Sequence, residues 1–578
     1  MAATIYYDGE CPFCTRYVGL VKLREAVGPV KLVNLRDDVV IRNELAAEGF
    51  DLDQGMVVDV DGNRVGGAQA TNMLADMSTP SGTFNRLNRA IFGMPVLSGL
   101  IYPVLRTGRW LSLFLMGRRT INDATGEQAS RQTLFGLLFA MFSLFHVFNY
   151  LFEYAVAPLQ LDLLGIFVAA LVLLLRPGST RALFFLVLIS TISTVIQAPI
   201  QSNHTMLRSM VLLGYWLSFF NAAIRAQPVS EIFANFILAG RGSLLVMYFY
   251  GIFHKINTEF LNPETSCAAS LWDEMLPPIS WVQSVFVDYA AIYGTFIVEG
   301  AMVLALLNPR TRHWGMVGGI CFHMFLALSN FAAYVSFTTL AISLHILFLS
   351  GSQIDRIMSG PDLKWLKTRA RQPVNKLSFL ILLFVGGYAM SNGHYNVGSL
   401  CLLPIVFTVC VLIIRHGHEI KGDESRSHSK AAYVIGTFVT ALYFLNGALP
   451  YLGLKTAQTV AMFSNLQLEG GASNHLVFPN APGPFTYLDD VAIITDPHDD
   501  PIIGGYHVVD YRMVYYDLLA RLVAAPDARV SFTMNGQSYE NVGAADLSDD
   551  INQTLHSPFV RKWFHFRPVV FHQPETCL

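Results

Sequence analysis

Long apolar segments that recur along the chain restrict its fold more than any other sequence feature. Of the 578 residues, 53% are hydrophobic and only 14% are charged, whereas soluble domains carry roughly 25% charged residues. Stretches of about 20 apolar residues are typical of helices that cross a lipid bilayer. The sequence therefore predicts a polytopic membrane protein with about eleven helices. We place them near residues 133–157, 159–175, 182–200, 206–224, 241–259, 281–307, 313–331, 333–350, 377–392, 398–414 and 431–449.

The less apolar ends of the chain predict two further domains. Residues 1–122 precede the apolar segments of 123–450. Residues 451–578 contain predicted strands at Ala492–Thr495 and His507–Asp510, followed by a helix and a hairpin. The predicted fold is therefore multi-domain: an N-terminal α/β domain, a polytopic α-helical membrane domain, and a small C-terminal α+β domain.

A Cys-x-x-Cys motif gives the N-terminal domain its predicted chemistry. Thr4–Tyr7 is a predicted strand, and Cys11-Pro-Phe-Cys14 begins a helix. The whole domain follows the order strand, Cys-x-x-Cys, helix, strand, helix, hairpin, helix, which is thioredoxin-like. A helix N-terminus favours the thiolate form of a cysteine, so we predict that Cys11 is the nucleophile and Cys14 the resolving thiol. The alternative is half of a zinc site, but no second cysteine pair accompanies the motif, and we expect no metal.

Basic residues predict the orientation of the chain, because cytoplasmic loops are enriched in lysine and arginine. They fall in alternate connections, which predicts a cytoplasmic N-terminus and an exoplasmic C-terminus. The dithiol would then face the reducing cytosol. The net charge of −3 gives no indication of a nucleic-acid partner. The basic connections hold Arg118/Arg119, Arg176/Arg181, Arg225/Arg241, Arg310/Arg312, Arg356–Lys376 and Arg415–Lys430.

The fifth apolar segment ends in the polar string His254-Lys255-Ile-Asn257. An ionisable residue at membrane depth is costly and is by default a functional-site hypothesis. Loss of water lowers the pKa of a lysine, and the neutral amine is a base. Lys255 is therefore a candidate catalytic base. The alternative is that it extends to the membrane interface as an ordinary anchoring residue.

Other polar residues of the apolar region are expected to join Lys255. Asn203 and His204 precede the fourth segment, and His323 lies in the seventh. In the predicted topology these residues meet Lys255 near the outer leaflet. Glu299, in the sixth segment, is expected to lie deeper as a partner charge.

The N-terminal motif resembles a known family. Tyr7-Asp-Gly-Glu-Cys-Pro-Phe-Cys14 is similar to the Tyr-Asp-Gly-x-Cys-x-x-Cys signature of the DCC family of thiol-disulfide oxidoreductases. Val57–Gly62 and Gly67–Ala70 resemble later parts of that family, so the resemblance covers roughly residues 3–120. Gly55-Met56 stands where thioredoxins proper carry a cis-proline, which predicts different handling of substrates at the dithiol.

The apolar region resembles a second family. Tyr248–Asn257 is similar to the lysine-containing segment of vitamin K-dependent gamma-glutamyl carboxylase, within the wider HTTM group of membrane proteins. The resemblance implies that Lys255 is catalytic and is assisted by Asn203 and His204. It also implies a quinol cofactor, such as vitamin K hydroquinone. Cys321-Phe-His323 with Asn330 resembles a further pocket segment of that family.

Together these features predict a membrane-bound redox enzyme that joins a cytoplasmic dithiol oxidoreductase to a carboxylase-like membrane domain with a lysine base. We expect the quinol pocket to include His254, Asn257, His323 and Glu299, although His254 replaces a lysine of the carboxylase pattern. One alternative is a relay that passes electrons between thiols and membrane quinone. Another is a transporter or scaffold with a regulatory dithiol domain. The expected partners are the lipid membrane, a quinone and an unknown thiol or protein substrate.

Overall fold

The computed structural model describes most of the chain, as two compact units. It covers residues 3–567 and 569, apart from 21–28, 80–81, 119, 122–126, 154–159, 200–201, 276–283, 330–331, 371, 419–427, 462, 497–511 and 568. The first unit comprises Met1–Ala129, Tyr215–Phe236 and His428–Tyr433. The second comprises Ser130–Gly214, Ile237–Ser427 and Val434–Leu578.

An N-terminal α/β domain forms most of the first unit. Its four-stranded sheet has the order β2-β1-β3-β4, with β1 parallel to β2 and antiparallel to β3. The elements follow the order expected from the sequence. They are β1 (Ala3–Tyr7), α1 (Pro12–Leu20), β2 (Val30–Asn34), α2 (Val39–Ala47), β3 (Val57–Val60), β4 (Asn63–Gly66), α3 (Gly67–Asp76), α4 (Thr83–Phe92) and α5 (Pro95–Met116).

Both faces of the sheet are buried, because the apolar side chains of its strands point alternately to one face and the other. Successive side chains of a strand point to opposite sides, so Ile5 and Tyr6 of β1 enter different cores. Ile5 packs with Val58, Leu74 and both cysteines of the motif. Tyr6 packs on the other side with residues that include Leu45 of α2. The dithiol therefore lies in one of the two hydrophobic cores of the domain.

Helix α5 is part of this domain. The basic, amphipathic sequence 84–119 is compatible with a helix on the membrane surface or with the last helices of the soluble domain. Trp110, Leu113 and Phe114 of α5 are buried, and Leu113 belongs to the core that contains the dithiol. This packing favours the second interpretation.

The middle of the chain is helical. Its helices are α6 (Glu127–Glu153), α7 (Leu161–Leu175), α8 (Thr180–Gln197), α9 (Asn203–Arg225), α10 (Ser230–Phe253), α11 (Thr258–Leu261), α12 (Cys267–Met275), α13 (Val285–Leu307), α14 (Arg312–Leu326), α15 (Ala332–His345), α16 (Gly351–Ser359), α17 (Pro361–Ala370), α18 (Pro373–Ser391), α19 (Tyr395–Leu400), α20 (Leu403–His416) and α21 (Lys430–Ala448).

Among the described residues, seven helices are long and apolar enough to cross a membrane, or up to nine if two bent pairs count as single spans. This supports a membrane protein but does not confirm the expected number of eleven. The apolar helices α7 and α20 have only 15 and 14 residues, and a helix needs roughly 20 residues to cross a 30 Å hydrocarbon layer. The fifth segment also differs, because α10 begins at Ser230 rather than near Arg241 and ends before Lys255.

The chain after α21 forms a second sheet of the order β6-β5-β7-β8. Its helix α22 packs on the sheet through Leu518, Leu519 and Leu522. The strand predicted at His507–Asp510 lies outside the described residues. Val434–Leu578 belongs to the same compact unit as most of the helical region, so the division into three domains remains a prediction. The elements are β5 (Val491–Asp496), β6 (Arg512–Val514), α22 (Tyr515–Ala524), β7 (Arg529–Met534), β8 (Gln537–Gly543), α23 (Ser548–Thr554) and α24 (Pro558–Arg561).

Candidate active sites

The dithiol lies at the N-terminus of α1. Cys11 directly precedes the helix, Pro12 is its first residue, and Cys14 follows within the first turn. Proline suits this position because its fixed φ matches a helix and its missing N–H would have no helical partner there. The backbone N–H of Cys14 donates to Cys11 Sγ at 3.1 Å. The local sequence thus directs both the second thiol and a free helix N–H at the first sulfur.

The surroundings of the dithiol distinguish its two thiols. A hydrogen bond from Cys14 lowers the pKa of Cys11 to about 6, against the opposing effect of burial and with help from the positive charge of Arg109. The pKa of Cys14 is raised, first by its hydrogen bond to Cys11 and then by burial. At neutral pH Cys11 is therefore the thiolate and Cys14 the thiol, which are the states of a nucleophile and a resolving group.

Two arginines and an aspartate surround this pair. Asp8 accepts from Arg36 Nε at 2.9 Å and from Arg109 Nη2 at 2.8 Å. Burial alone would raise the pKa of Asp8, but the hydrogen bond from Arg36 and the charge of Arg109 lower it. Arg109 also donates to the carbonyl of Asp53 at 2.5 Å. Arg109 was not among the predicted site residues, because it lies 101 positions after Asp8 in the sequence.

The dithiol is covered by its own domain. Cys11 has no exposed surface and Cys14 is 7% exposed. Leu113 of α5 and Met56, next to Gly55, pack in the same core. Gly55 has φ +154°, and a Cβ there would collide with the Tyr102 hydroxyl, which donates to the Gln54 carbonyl at 2.6 Å. The Gly55-Met56 step that replaces the thioredoxin proline is therefore fixed by a close contact with α5.

A second candidate site is a cavity of about 90 Å³ among the helices of the second unit, which we call the helical unit. Five residues predicted from the sequence line it: Asn203, His204, Lys255, Glu299 and His323. They come from α9, the turn after α10, α13 and α14. The structure therefore brings together residues that lie more than one hundred positions apart in the chain.

Lys255 forms a buried ion pair within this cavity. Its Nζ donates to Glu299 Oε1 at 2.7 Å, and both side chains are at least nine-tenths buried. The same ammonium lies 5.7 Å from the centre of the Phe260 ring. Glu299 Oε2 has no hydrogen-bond partner among the described residues. Lys255 is thus not an interface anchor, and Glu299 lies beside it rather than deeper.

Three aromatic side chains form a hydrogen-bonded chain that ends at the cavity. His345 Nδ1 lies 2.7 Å from the Ala341 carbonyl, which only accepts, so Nδ1 carries the proton. His345 Nε2 then accepts from the Tyr248 hydroxyl at 3.1 Å. The Tyr248 oxygen in turn accepts from His323 Nε2 at 2.8 Å. This leaves His323 Nδ1 as an acceptor, and it has no partner among the described residues. Neither was predicted as a site residue: Tyr248 begins the string compared with the carboxylase but was given no role, and His345 stands in no motif.

His204 and Asn203 contact groups other than Lys255. His204 interacts through Nδ1 with the Ser202 hydroxyl at 2.7 Å and through Nε2 with the Ser336 hydroxyl at 3.0 Å. Asn203 Oδ1 accepts from the backbone N–H of Val460 at 2.8 Å. Both residues line the cavity, but their hydrogen bonds hold its wall together, and neither bonds to the lysine.

His254 and Asn257 differ from the prediction, because neither lines the cavity. His254 contacts the Tyr451 hydroxyl at 2.8 Å and the Thr459 carbonyl at 3.0 Å. Asn257 caps α11 by accepting from the N–H of Phe260 at 2.8 Å, and it donates to the Ser464 carbonyl at 2.6 Å. These bonds attach the chain after α21 to the end of α10. Asn330, part of the same predicted pocket, lies outside the described residues.

A larger cavity of about 250 Å³ adjoins the first. Lys255 and Glu299 line both cavities. The remaining wall of the larger one is mostly apolar and includes Phe260, Leu271 and Trp272. The ion pair thus lies where the two cavities meet. The smaller cavity contains His204 and His323, and the larger one has a mostly apolar wall.

Comparison with known proteins gives information about the N-terminal domain, which contains the dithiol. No curated protein and no solved structure matches the chain. The resemblance of the helical region to the carboxylase and to the HTTM group is not confirmed, because no family match extends into it. Residues 5–113 match the family model described as DCC1-like thiol-disulfide oxidoreductase, and they include Cys11, Cys14 and Arg109. The N-terminal part of this chain is therefore a domain similar to the DCC1-like thiol-disulfide oxidoreductases, which supports a redox enzyme.

Proposed function

We propose that the chain is a membrane-bound thiol-disulfide oxidoreductase in which Cys11 attacks and Cys14 resolves. The observation that carries this proposal is the backbone N–H of Cys14 at the start of α1, which donates to Cys11 Sγ at 3.1 Å. The adjacent guanidinium of Arg109 further favours the thiolate. A thiolate at pH 7 beside a protonated thiol is the starting state for disulfide exchange.

The exchange takes place in two steps. The Cys11 thiolate attacks one sulfur of a substrate disulfide, forms a mixed disulfide and releases the first substrate thiolate. Cys14 then loses its proton, attacks Cys11 Sγ and releases the second substrate thiolate. The substrate gains two electrons, and the domain is left with a Cys11–Cys14 disulfide. A cellular thiol must then reduce the domain again.

The reaction belongs on the cytoplasmic side in this proposal. The distribution of basic residues supports an inner N-terminus, and a reducing cytosol keeps the dithiol ready to react. Cys267, in a connection that this topology places outside, is disulfide-bonded. An oxidising outer compartment is compatible with that bond.

Trapping of the mixed disulfide tests the proposal. The full chain with Cys14→Ser should accumulate an adduct of Cys11 with bis(2-hydroxyethyl) disulfide, because the resolving step is blocked. Cys11→Ser should form no adduct at Cys14, whose pKa is raised. Cys401→Ser is the matched control, since Cys401 is a free thiol outside the first unit. Equal adducts at both motif positions, measured by peptide mass, would refute the assignment of roles.

We infer a second activity for the helical region: Lys255 acts as a base on a quinol in a carboxylase-like reaction. Two unpartnered acceptors support it, Glu299 Oε2 and His323 Nδ1. Both belong to residues that line the smaller cavity. A quinol has two hydroxyl donors, and a buried acceptor without a partner costs about 1–3 kcal/mol. The adjoining apolar cavity suits the hydrocarbon tail of such a ligand.

In this second activity a quinol in the smaller cavity would be held by Glu299 Oε2 and His323 Nδ1. Lys255, which lies beside Glu299, would act as the base that takes the proton of a quinol hydroxyl.

Substitution of Lys255 tests this base. Lys255→Arg can still pair with Glu299 but cannot give up its proton, so oxygen uptake with reduced naphthoquinones should be lost. Lys255→Met should lose it too, but this variant leaves the buried Glu299 charge without its partner and should melt at a lower temperature, so Lys255→Arg is the decisive variant. Uptake that persists in Lys255→Arg would show that the lysine supplies charge alone.

A further inference from the structure

A second pair of free thiols lies in the helical unit, far from the Cys-x-x-Cys motif in sequence. Cys321 of α14 and Cys410 of α20 have their sulfur atoms 4.0 Å apart. Both carry free thiols, and the two helices pack against each other. Neither residue lines either cavity described above.

The separation allows a disulfide to form with little movement. An S–S bond is about 2.05 Å long, so the two sulfurs must approach by roughly 2 Å. Rotation of the two cysteine side chains between staggered conformations is the movement that would bring the sulfurs together. Since the cysteines lie on different helices, such a bond would link α14 to α20 covalently.

The two thiols differ in access. Cys321 is exposed, whereas Cys410 is 8% exposed. Trp314 and Phe325 are exposed on the same face of α14, seven residues before and four residues after Cys321. The neighbouring helix α13 is one of the candidate spans. The face that carries Cys321 is therefore apolar, as a surface in contact with lipid would be.

The apolar surroundings of Cys321 favour one class of oxidant. Its exposed neighbours on α14, Trp314 and Phe325, carry no charge. A charged oxidant such as glutathione disulfide would lose its hydration on approaching such a surface in a membrane. A lipid-soluble quinone would lose little, and it accepts two electrons and two protons.

We propose that Cys321 and Cys410 form a second redox-active dithiol, which a membrane quinone oxidises to a disulfide. The two S–H bonds break and one S–S bond forms. The two electrons and two protons pass to the carbonyl oxygens of the quinone, which becomes a quinol. Cys321, which is exposed, reacts with the quinone first. The buried Cys410 then forms the disulfide with it.

The proposal goes beyond the two activities above, and it stands or falls separately from them. His323 follows Cys321 by two residues, about 200° around the helix, so one helix presents a thiol to lipid and an imidazole to the cavity. Oxidation of the pair needs neither Lys255 nor Cys11.

The test uses the full chain in lipid nanodiscs, with Cys11→Ser and Cys14→Ser to silence the first dithiol. After incubation with a short-chain ubiquinone analogue, free thiols are blocked under denaturing conditions and the peptides are analysed by mass spectrometry. We expect a Cys321–Cys410 cross-linked peptide and about one quinol formed per protein. Cys321→Ser and Cys410→Ser should each reduce quinol formation to the level of empty nanodiscs. Cys401→Ser should leave it unchanged.

Three outcomes would overturn the proposal. In the first, both thiols remain free to N-ethylmaleimide after quinone treatment. In the second, quinol forms equally in the absence of Cys321. In the third, only the water-soluble oxidant diamide produces the cross-link. The cross-link is measured in a chain that keeps both Cys321 and Cys410, and the melting temperature of the Cys11→Ser, Cys14→Ser chain, compared with that of the unsubstituted chain, is the check on folding.

Discussion

At the scale of single residues, Arg109 helps to set the charge state of the dithiol. It approaches Asp8 at 2.8 Å and contributes to the low pKa of Cys11. It is also buried, so its charge is weakly screened by solvent. Removal of this cation should therefore change the chemistry of a sulfur that belongs to another element.

We expect Arg109→Gln to raise the pKa of Cys11 from about 6 toward the ordinary 8.5 of a free thiol. The sign follows from the charge, because a nearby cation favours the thiolate and its loss favours the thiol. At a given pH below 8 the thiolate fraction should thus fall. The ultraviolet absorbance of the thiolate, followed against pH and corrected with Cys11→Ser, measures this without requiring access to the buried sulfur.

Arg106→Gln is the matched control for this prediction. Arg106 lies on the same helix but bonds to Gln54 and to the Ile224 carbonyl rather than to Asp8. An equal shift of the titration in both variants would mean that the helix, and not the charge at 109, sets the pKa of Cys11.

The residues of the dithiol were predictable, and those around it were not. Cys11 and Cys14 lie three positions apart in a short motif, so local spacing reveals them. The role of Arg109 depends on how α5 folds back over β1, which no local pattern encodes. The same holds for Tyr248 and His345, whose hydrogen bonds join separate helices.

At the scale of elements, the end of α10 is attached to the chain that follows α21. The N–H of Leu476 donates to the Ile256 carbonyl at 2.9 Å, and that of Thr258 donates to the Asn474 carbonyl at 3.1 Å. Asn257 adds its cap of α11 and its bond to Ser464. These contacts hold the turn that contains Lys255, and they explain why Lys255 lines the cavity whereas His254 and Asn257 do not.

We expect Asn257→Ala to lower the free energy of unfolding by roughly 2–4 kcal/mol, from a lost helix cap and a buried carbonyl left without a donor. Thermal unfolding of the detergent-solubilised chain measures the change. Asn262→Ala, at an exposed position of the same loop, should have an effect within about 0.5 kcal/mol. Loss of quinol binding by Asn257→Ala at unchanged stability would restore the original prediction that Asn257 contacts the ligand.

The sequence predicted which helices and strands form better than it predicted where they begin and end. Hydropathy located the fifth segment but began it near Arg241, because an arginine is uncommon inside an apolar helix. In the structure Arg241 lies within α10 and donates to the Leu347 carbonyl at 2.7 Å. A partner contributed by another helix makes the charge acceptable, and a single segment carries no information about that partner.

At the scale of the whole molecule, the chain combines an α/β domain with a helical region, and its described residues contain seven to nine candidate spans. Apolar composition predicted the class of protein. It could not fix the number of crossings, since short or bent helices such as α7 and α20 are as apolar as true spans. A helix that is buried against protein and a helix that is buried in lipid have equally apolar sequences.

We predict that Asp61 and Ser538 lie on opposite sides of the membrane. Both are exposed, one in the turn after β3 and one in β8. An odd number of crossings, such as the seven long helices of the described residues, places the two on different sides. Single cysteines at these positions, labelled in sealed cells with a membrane-impermeant maleimide, should react at Ser538→Cys only. Reaction of both from outside would contradict the orientation.

The complete burial of Cys11 makes its reactivity a gated process. Cys11 packs in one core with Leu113 and Met56, so a substrate disulfide would react with it only during local opening of the domain. At low substrate concentration the rate would be the product of the equilibrium constant for opening and the chemical rate constant. At high concentration it would level off at the opening rate, which the thiolate fraction cannot raise. In that limit the rate of exchange would be the same for every disulfide.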